Sequence, residues 1–178
     1  WRLEVLVNLM LVGSANDAAE AISRYVEVHR DGLPMRINQL SRELNLRQSF
    51  FLNYSGLDVS QTLSGAYGSA RDIALVMKEL YDKHKEVLTV TSKEDISVDS
   101  ATQSLTVPNT NTSVNRSMGL VASKTGFTDL AGGNLAIIFD AEIDRPVAVV
   151  LLGSTREGRV EDAEKIMSWV RTNLASHD

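Results

Sequence analysis

Three apolar runs in the C-terminal half, 118–123, 134–140 and 146–152, constrain the fold more than anything else in the chain. Each has the length of a strand, and Ala141 to Arg145 has the length and polarity of a turn. The last two runs are therefore predicted to form an antiparallel hairpin. Helical patterns flank them. Ser69-Ala70-Arg71-Asp72 has the form of a capping box, in which the Ser69 hydroxyl takes a free backbone N–H and the Asp72 carboxylate reaches back. Ile73, Val76, Met77, Leu80 and Tyr81 follow at i, i+3, i+4, i+7 and i+8, which predicts an amphipathic helix. Val160, Ala163, Ile166, Met167, Val170 and Leu174 share one face of a closing helix. Helices, then meandering strands, then a terminal helix predict an α+β fold with helices packed on an antiparallel sheet. One domain is expected over residues 1–178. Its helical part covers about 1–86, its strand-rich part about 87–157 and its closing helix about 158–175.

The chain opens inside an apolar run, Leu3 to Val12. Glu4 and Asn8 within it speak against the apolar core of a signal peptide. It is also too short to span a bilayer, which takes about 20 residues. It reads as a helix buried inside a domain whose upstream neighbours are missing. A second helix is expected to place Ala18, Ala21, Ile22, Tyr25 and Val26 on one face and to close at Asp31-Gly32. Pro34 suits the first turn of a third, with Ile37, Leu40 and Leu44 aligned. Asn53-Tyr54-Ser55-Gly56-Leu57-Asp58 is turn chemistry.

Composition removes several function classes. A net charge of −5, with no basic stripe interleaved with aromatics, argues against a nucleic-acid partner. The absence of cysteine removes thiolate metal sites and cysteine nucleophiles. His29, His84 and His177 are far apart in the chain, so neither a zinc site nor a serine–histidine pair is expected, and no cofactor is implied.

Two polar clusters remain. Ser14-Ala15-Asn16 stands where one helix ends and the next begins. It can simply cap a helix, or it can offer a hydroxyl that relays a proton and a carboxamide that both donates to and accepts from an amide. Lys124-Thr125-Gly126 follows the first apolar strand run. It can be a strand end with a snorkelling lysine. It can equally be an anion-gripping edge: lysine supplies charge, threonine a directional hydrogen bond to a carboxylate, and glycine an unobstructed edge to which an extended peptide can add as a strand.

The order and context of these clusters resemble the penicillin-recognising serine D,D-peptidases, specifically the D-alanyl-D-alanine carboxypeptidases among the low-molecular-weight penicillin-binding proteins. The residues that carry the resemblance run over nearly the whole chain: LMLVGSANDAAEAIS around Ser14, Phe51 to Asp58, Gly68 to Ala74, KTGFTDLAGGN from Lys124, Val150 to Gly153, and Arg159 through Trp169. The resemblance implies roles. Ser14 would pass a proton between the active-site base and the leaving group, and Asn16 would bind the substrate amide. Lys124 would supply positive potential beside the terminal carboxylate and the Ser14 hydroxyl. Thr125 would hydrogen-bond the carboxylate of a terminal D-alanine, and Gly126 would keep the strand edge clear. The Phe127 N–H would form half of an oxyanion hole, and Thr128 would support the same wall. Arg159 matches a family position and is assigned no catalytic role. The implied partners are peptidoglycan stem peptides ending in D-Ala-D-Ala and β-lactams, in an extracytoplasmic bacterial compartment; no membrane anchor is visible.

The sequence departs from the family at one decisive point. The family's nucleophile is the serine of Ser-x-x-Lys, and here no serine or threonine is followed three places on by lysine. The chain is therefore expected to be the C-terminal part of such an enzyme, inactive alone, with the missing N-terminal segment a candidate partner. Two other functions stay open: a non-catalytic peptidoglycan-binding remnant, and a serine β-lactamase. The second would need a water-activating carboxylate in Glu-x-x-x-Asn spacing, which Glu20, Glu27 and Glu43 do not supply, having no asparagine four residues on.

Overall fold

The computed structural model describes residues 1–29, 36–99, 104–114 and 116–174. Its elements run α1 (Leu3–Val12), α2 (Asn16–His29), α3 (Arg36–Glu43), β1 (Phe50–Phe51), β2 (Ala66–Tyr67), α4 (Ala70–Lys83), α5 (Lys85–Leu88), a 3-10 turn (Thr89–Ser92), β3 (Asp95–Asp99), β4 (Ser104–Pro108), β5 (Leu120–Thr128), β6 (Gly132–Glu142), β7 (Arg145–Ser154) and α6 (Gly158–Leu174). The fold is α+β, as expected.

The three apolar runs form one antiparallel sheet in the order β5-β6-β7. β6 is central and apolar on both faces, because both are covered. Leu135, Ile137, Phe139 and Ala141 point to one face, where Ala163 and Met167 of α6 close over them with Val114 and Val149. Ala136 and Ile138 point to the other, against Met77 of α4 and Leu88 of α5. This alternation is the period-two geometry of a strand. A third cluster joins α1 to the β3–β4 hairpin through Val5, Val12, Ile96 and Val98.

Several local expectations need correction. The strand carrying Lys124 does not end there. β5 runs on to Thr128, which pairs with Gly132; the backbone ladder continues where side-chain polarity no longer signals a strand. The strand-rich part begins at Asp95 rather than 87, because residues 85–92 wind into two helical turns. Residues 50–51 and 66–67 form a small ladder within the expected helical part. α1 is not enclosed all round: only Val5 and Val12 are buried. The buried stripe of α2 carries Ala18, Ala19 and Ser23, and Tyr25 is exposed. Half of the capping box at α4 forms, with Asp72 N–H donating to Ser69 Oγ at 3.2 Å. The fully buried Asp72 carboxylate instead accepts from Gln48 N and Ser49 Oγ, tying α4 to the preceding loop. The expected boundary at Asp31-Gly32 and the Pro34 start lie outside the described residues, as does His177. Among the described residues, no helix is long and apolar enough to cross a membrane.

Phe139 is fully buried between β6 and α6, whereas Ile143 at the β6–β7 turn is 93% exposed. Phe139→Ala is expected to destabilise by about 3–5 kcal/mol, and Ile143→Ser to stay within about 0.5 kcal/mol of the unsubstituted chain, read from the midpoints of urea unfolding.

Candidate active site

The turn between α1 and α2 has little freedom. A Cβ on Gly13 would stand 2.6 Å from Val107 Cγ1, so the α1 terminus lies hard against β4. The next residue, Ser14, takes a left-handed backbone conformation with φ 54°. For a residue with a Cβ this costs energy, and such strain persists only where the surroundings impose it. Ser14 is not the helix cap. Its hydroxyl faces β5, where Lys124 Nζ donates to Ser14 Oγ at 2.7 Å, joining residues 110 positions apart in the chain. The same ammonium donates to the Thr125 carbonyl at 2.6 Å. An ammonium has three donors, so one N–H remains for the cleft.

Burial pushes the Lys124 ammonium down from 10.5 to about 8, and the positive charge of Arg159 adds to the shift. Arg159, on the first turn of α6, lies behind the strand: its Nη1 donates to Gly126 O at 2.8 Å and to Asn134 O at 3.2 Å. It thereby stitches β5 to β6 where Gly126 offers no side chain. A Cβ on Gly126 would meet only Asn134 Cβ, at 3.7 Å, so the cleft side of the strand is open.

The sequence-predicted residues Ser14, Asn16, Lys124, Thr125, Gly126, Phe127 and Thr128 all line one cleft of about 820 Å³. Met10 and Leu11 contribute to its floor, which is where the uncovered side of α1 goes. Asn16 is exposed, and its carboxamide has no hydrogen-bond partner among the described residues. Thr125 is buried, its hydroxyl 2.7 Å from that of Thr110. The Phe127 ring is exposed and carries the Arg156 guanidinium 3.5 Å above its centroid. Among the described residues no group of three or more His, Asp or Glu side chains is arranged to hold a metal ion, and His84 is exposed at the end of α4.

The opposite wall comes from residues 51–68. Asn53 folds it: its Nδ2 donates to Leu57 O and its Oδ1 accepts from Gly56 N. Gly65 packs so closely that a Cβ there would lie 2.1 Å from Leu57 O. Asp58 then clasps the two walls. One of its carboxylate oxygens accepts from Thr128 Oγ1 at 2.9 Å and the other from Leu130 N at 3.2 Å. Thr128 Oγ1 in turn accepts from Ala131 N, closing the β5–β6 turn. Asp58, Thr110, Arg156 and the supporting part of Arg159 went unrecognised in the sequence. The Gly-Leu-Asp of 56–58 reads there as a turn, and nothing local points to a partner 70 positions away.

A family model described as D-alanyl-D-alanine carboxypeptidase matches residues 2–155. The D-alanyl-D-alanine carboxypeptidase DacD of Salmonella typhimurium is 29% identical over 169 residues, 94% of this chain and 41% of its own length. DacF of Bacillus subtilis is 28% identical over 179 residues, 98% of this chain and 45% of its own. The crystal structure of penicillin-binding protein D2 from Listeria monocytogenes in its cefotaxime-bound form superposes with a TM-score of 0.80 at 31% identity, covering 96% of this chain and 66% of that one. The chain thus spans under half the length of these curated relatives.

The Lys124 value can be read directly. A ¹³Cε titration is expected to give a midpoint near 8; a midpoint at the ordinary lysine value of 10.5 would mean a solvated side chain. The folded value lies below the unfolded one, so between them the unfolded chain binds more protons. This group's contribution to stability therefore rises with pH from about 8 to 10.5 and is flat below that window. Lys124→Met should abolish that rise in a pH series of urea unfolding.

Proposed function

This chain belongs to the D-alanyl-D-alanine carboxypeptidase family, and on that premise we propose that it forms one wall of a serine-type D,D-peptidase cleft. The wall holds the carboxylate of a terminal D-alanine and relays a proton. The acyl-forming serine and its activating lysine are supplied by polypeptide outside these 178 residues. One observation carries this reading above the rest: the Ser14–Lys124 hydrogen bond, which brings together the two polar clusters that the sequence keeps 110 positions apart.

The chemistry is what the family resemblance implies, and the geometry supports it. A stem peptide ending in D-Ala-D-Ala lies extended along the free edge of β5, where Gly126 leaves room. Its terminal carboxylate meets the Thr125 hydroxyl within the positive potential of Lys124 and Arg159. Asn16 takes the substrate amide through its carboxamide, which has no hydrogen-bond partner among the described residues. When a serine oxygen attacks the penultimate carbonyl carbon, that carbonyl oxygen gains negative charge, which the Phe127 N–H stabilises as half of an oxyanion hole. The C–N bond then breaks, and the departing D-alanine nitrogen needs a proton. Ser14 O–H is placed to deliver it, because Lys124 donates to its oxygen and can replace the proton lost. The acyl-serine is hydrolysed by water, and a β-lactam acylates the same serine. The site of action is extracytoplasmic.

A non-catalytic peptide-binding module is the second reading, favoured by the absence of any Ser-x-x-Lys in the chain. Fluorescent penicillin on a denaturing gel separates the two. The 178-residue chain should take no covalent label, and a chain extended upstream through a Ser-x-x-Lys should take it stoichiometrically. Labelling of the short chain would refute the assignment of the nucleophile to outside polypeptide; labelling of neither would favour the binding module.

A further inference from the structure

The hydroxyl that meets the carboxylate in this reading is not alone. Thr110 Oγ1 lies 2.7 Å from Thr125 Oγ1. The backbone N–H of Thr110 donates to the carbonyl of Val12 at 3.1 Å, two residues before Ser14. One residue belonging to neither polar cluster thus touches β5 with its side chain and the last residue of α1 with its backbone. The segment bearing it is clamped. Asn109 is buried; its N–H donates to Glu94 O at 2.8 Å. Its Nδ2 donates to Thr91 O at 2.7 Å and Lys93 O at 2.8 Å, and its Oδ1 accepts from Asn111 N. The β5 side is fixed by the same stretch: Ser123 N donates to Thr91 Oγ1 at 2.9 Å, one residue before Lys124.

We propose that Thr110 is a positioning residue that turns the Thr125 hydroxyl into a hydrogen-bond donor toward a carboxylate in the cleft. The proposal rests on the carboxylate-binding reading above. Each hydroxyl carries one proton, so the pair has two arrangements. If Thr125 donates to Thr110, it faces the cleft with lone pairs and repels an anion. If Thr110 donates to Thr125, the Thr125 proton is free for the ligand. A carboxylate accepts and never donates, so it selects the second arrangement, in which the Thr110 O–H also polarises Thr125 Oγ1 and strengthens its outward bond. The backbone tie to Val12 holds this pair at a fixed distance from Ser14, so carboxylate anchoring and proton relay share one support.

The test uses the 178-residue chain with two probes, an N-acyl-D-alanyl-D-alanine and its C-terminal amide, titrated by NMR. Thr110→Val is expected to lower the acid-over-amide affinity ratio about fivefold, the effect of one neutral hydrogen bond, with amide affinity kept within about twofold. Thr110→Ser should restore the ratio, which a purely steric role for the side chain would not require. Three-bond couplings in the ligand-free chain give a second readout: one Thr125 χ1 rotamer in the unsubstituted chain, averaged rotamers in Thr110→Val. An unchanged ratio, or a single Thr125 rotamer in Thr110→Val, overturns the proposal. No acid preference in the unsubstituted chain overturns the carboxylate-binding reading instead, and the couplings then still decide whether Thr110 orients Thr125.

Discussion

The hydrogen bond from Lys124 Nζ to Ser14 Oγ is the contact on which the rest of the site depends. Neither partner is comfortable. Ser14 sits in a left-handed backbone conformation, and Lys124 is buried enough to lose much of its preference for charge. Each is held by something rigid. Ser14 follows a glycine pressed against Val107, while Lys124 belongs to a strand laddered to β6 through to Thr128. Strain and desolvation are thus concentrated at one contact, inside an otherwise regular α+β fold, the pattern that marks a candidate functional site.

The sheet explains why this contact can stand at an edge. β6 is covered on both faces by α6 and by α4 with α5, so the central strand of the sheet is anchored in the core while β5 stands at its edge. β5 has no strand partner on its outer edge, and polar groups around it do the bracing: Arg159 beneath Gly126, Thr91 against Ser123, and Asp58 from the opposite wall to Thr128. The bracing runs in both directions along the strand, so Lys124, Thr125 and Gly126 lie between fixed points.

Much of this was legible in the sequence, for a physical reason. Periodic burial prints itself locally, so α4, α6 and the β6–β7 hairpin could be read from Met77, Met167 and the run around Ile137. The two polar clusters were legible as residue types and as an ordered family pattern. Other features were not legible because their cause is distant. The continuation of β5 past Lys124 is decided by pairing with β6, not by Thr125 or Thr128 themselves. The Asp72 carboxylate has a nearby capping option and takes Gln48 and Ser49 instead. Asp58 lies in a stretch that reads as a turn and Thr110 in the strand-rich part, and their partners are brought in only by the folded chain. Tyr25 shows the smaller error: the buried stripe of α2 runs through Ala18, Ala19 and Ser23, which leaves Tyr25 exposed.

Chemical-shift mapping of N-acyl-D-alanyl-D-alanine on the ¹⁵N-labelled 178-residue chain tests the central claim most directly. If Ser14 and Lys124 form one wall of a D,D-peptidase cleft, perturbations should gather at Ser14, Asn16 and Lys124 to Thr128, and fade when the terminal carboxylate is amidated. Perturbations confined to residues outside that cleft, or equal for acid and amide, would contradict it.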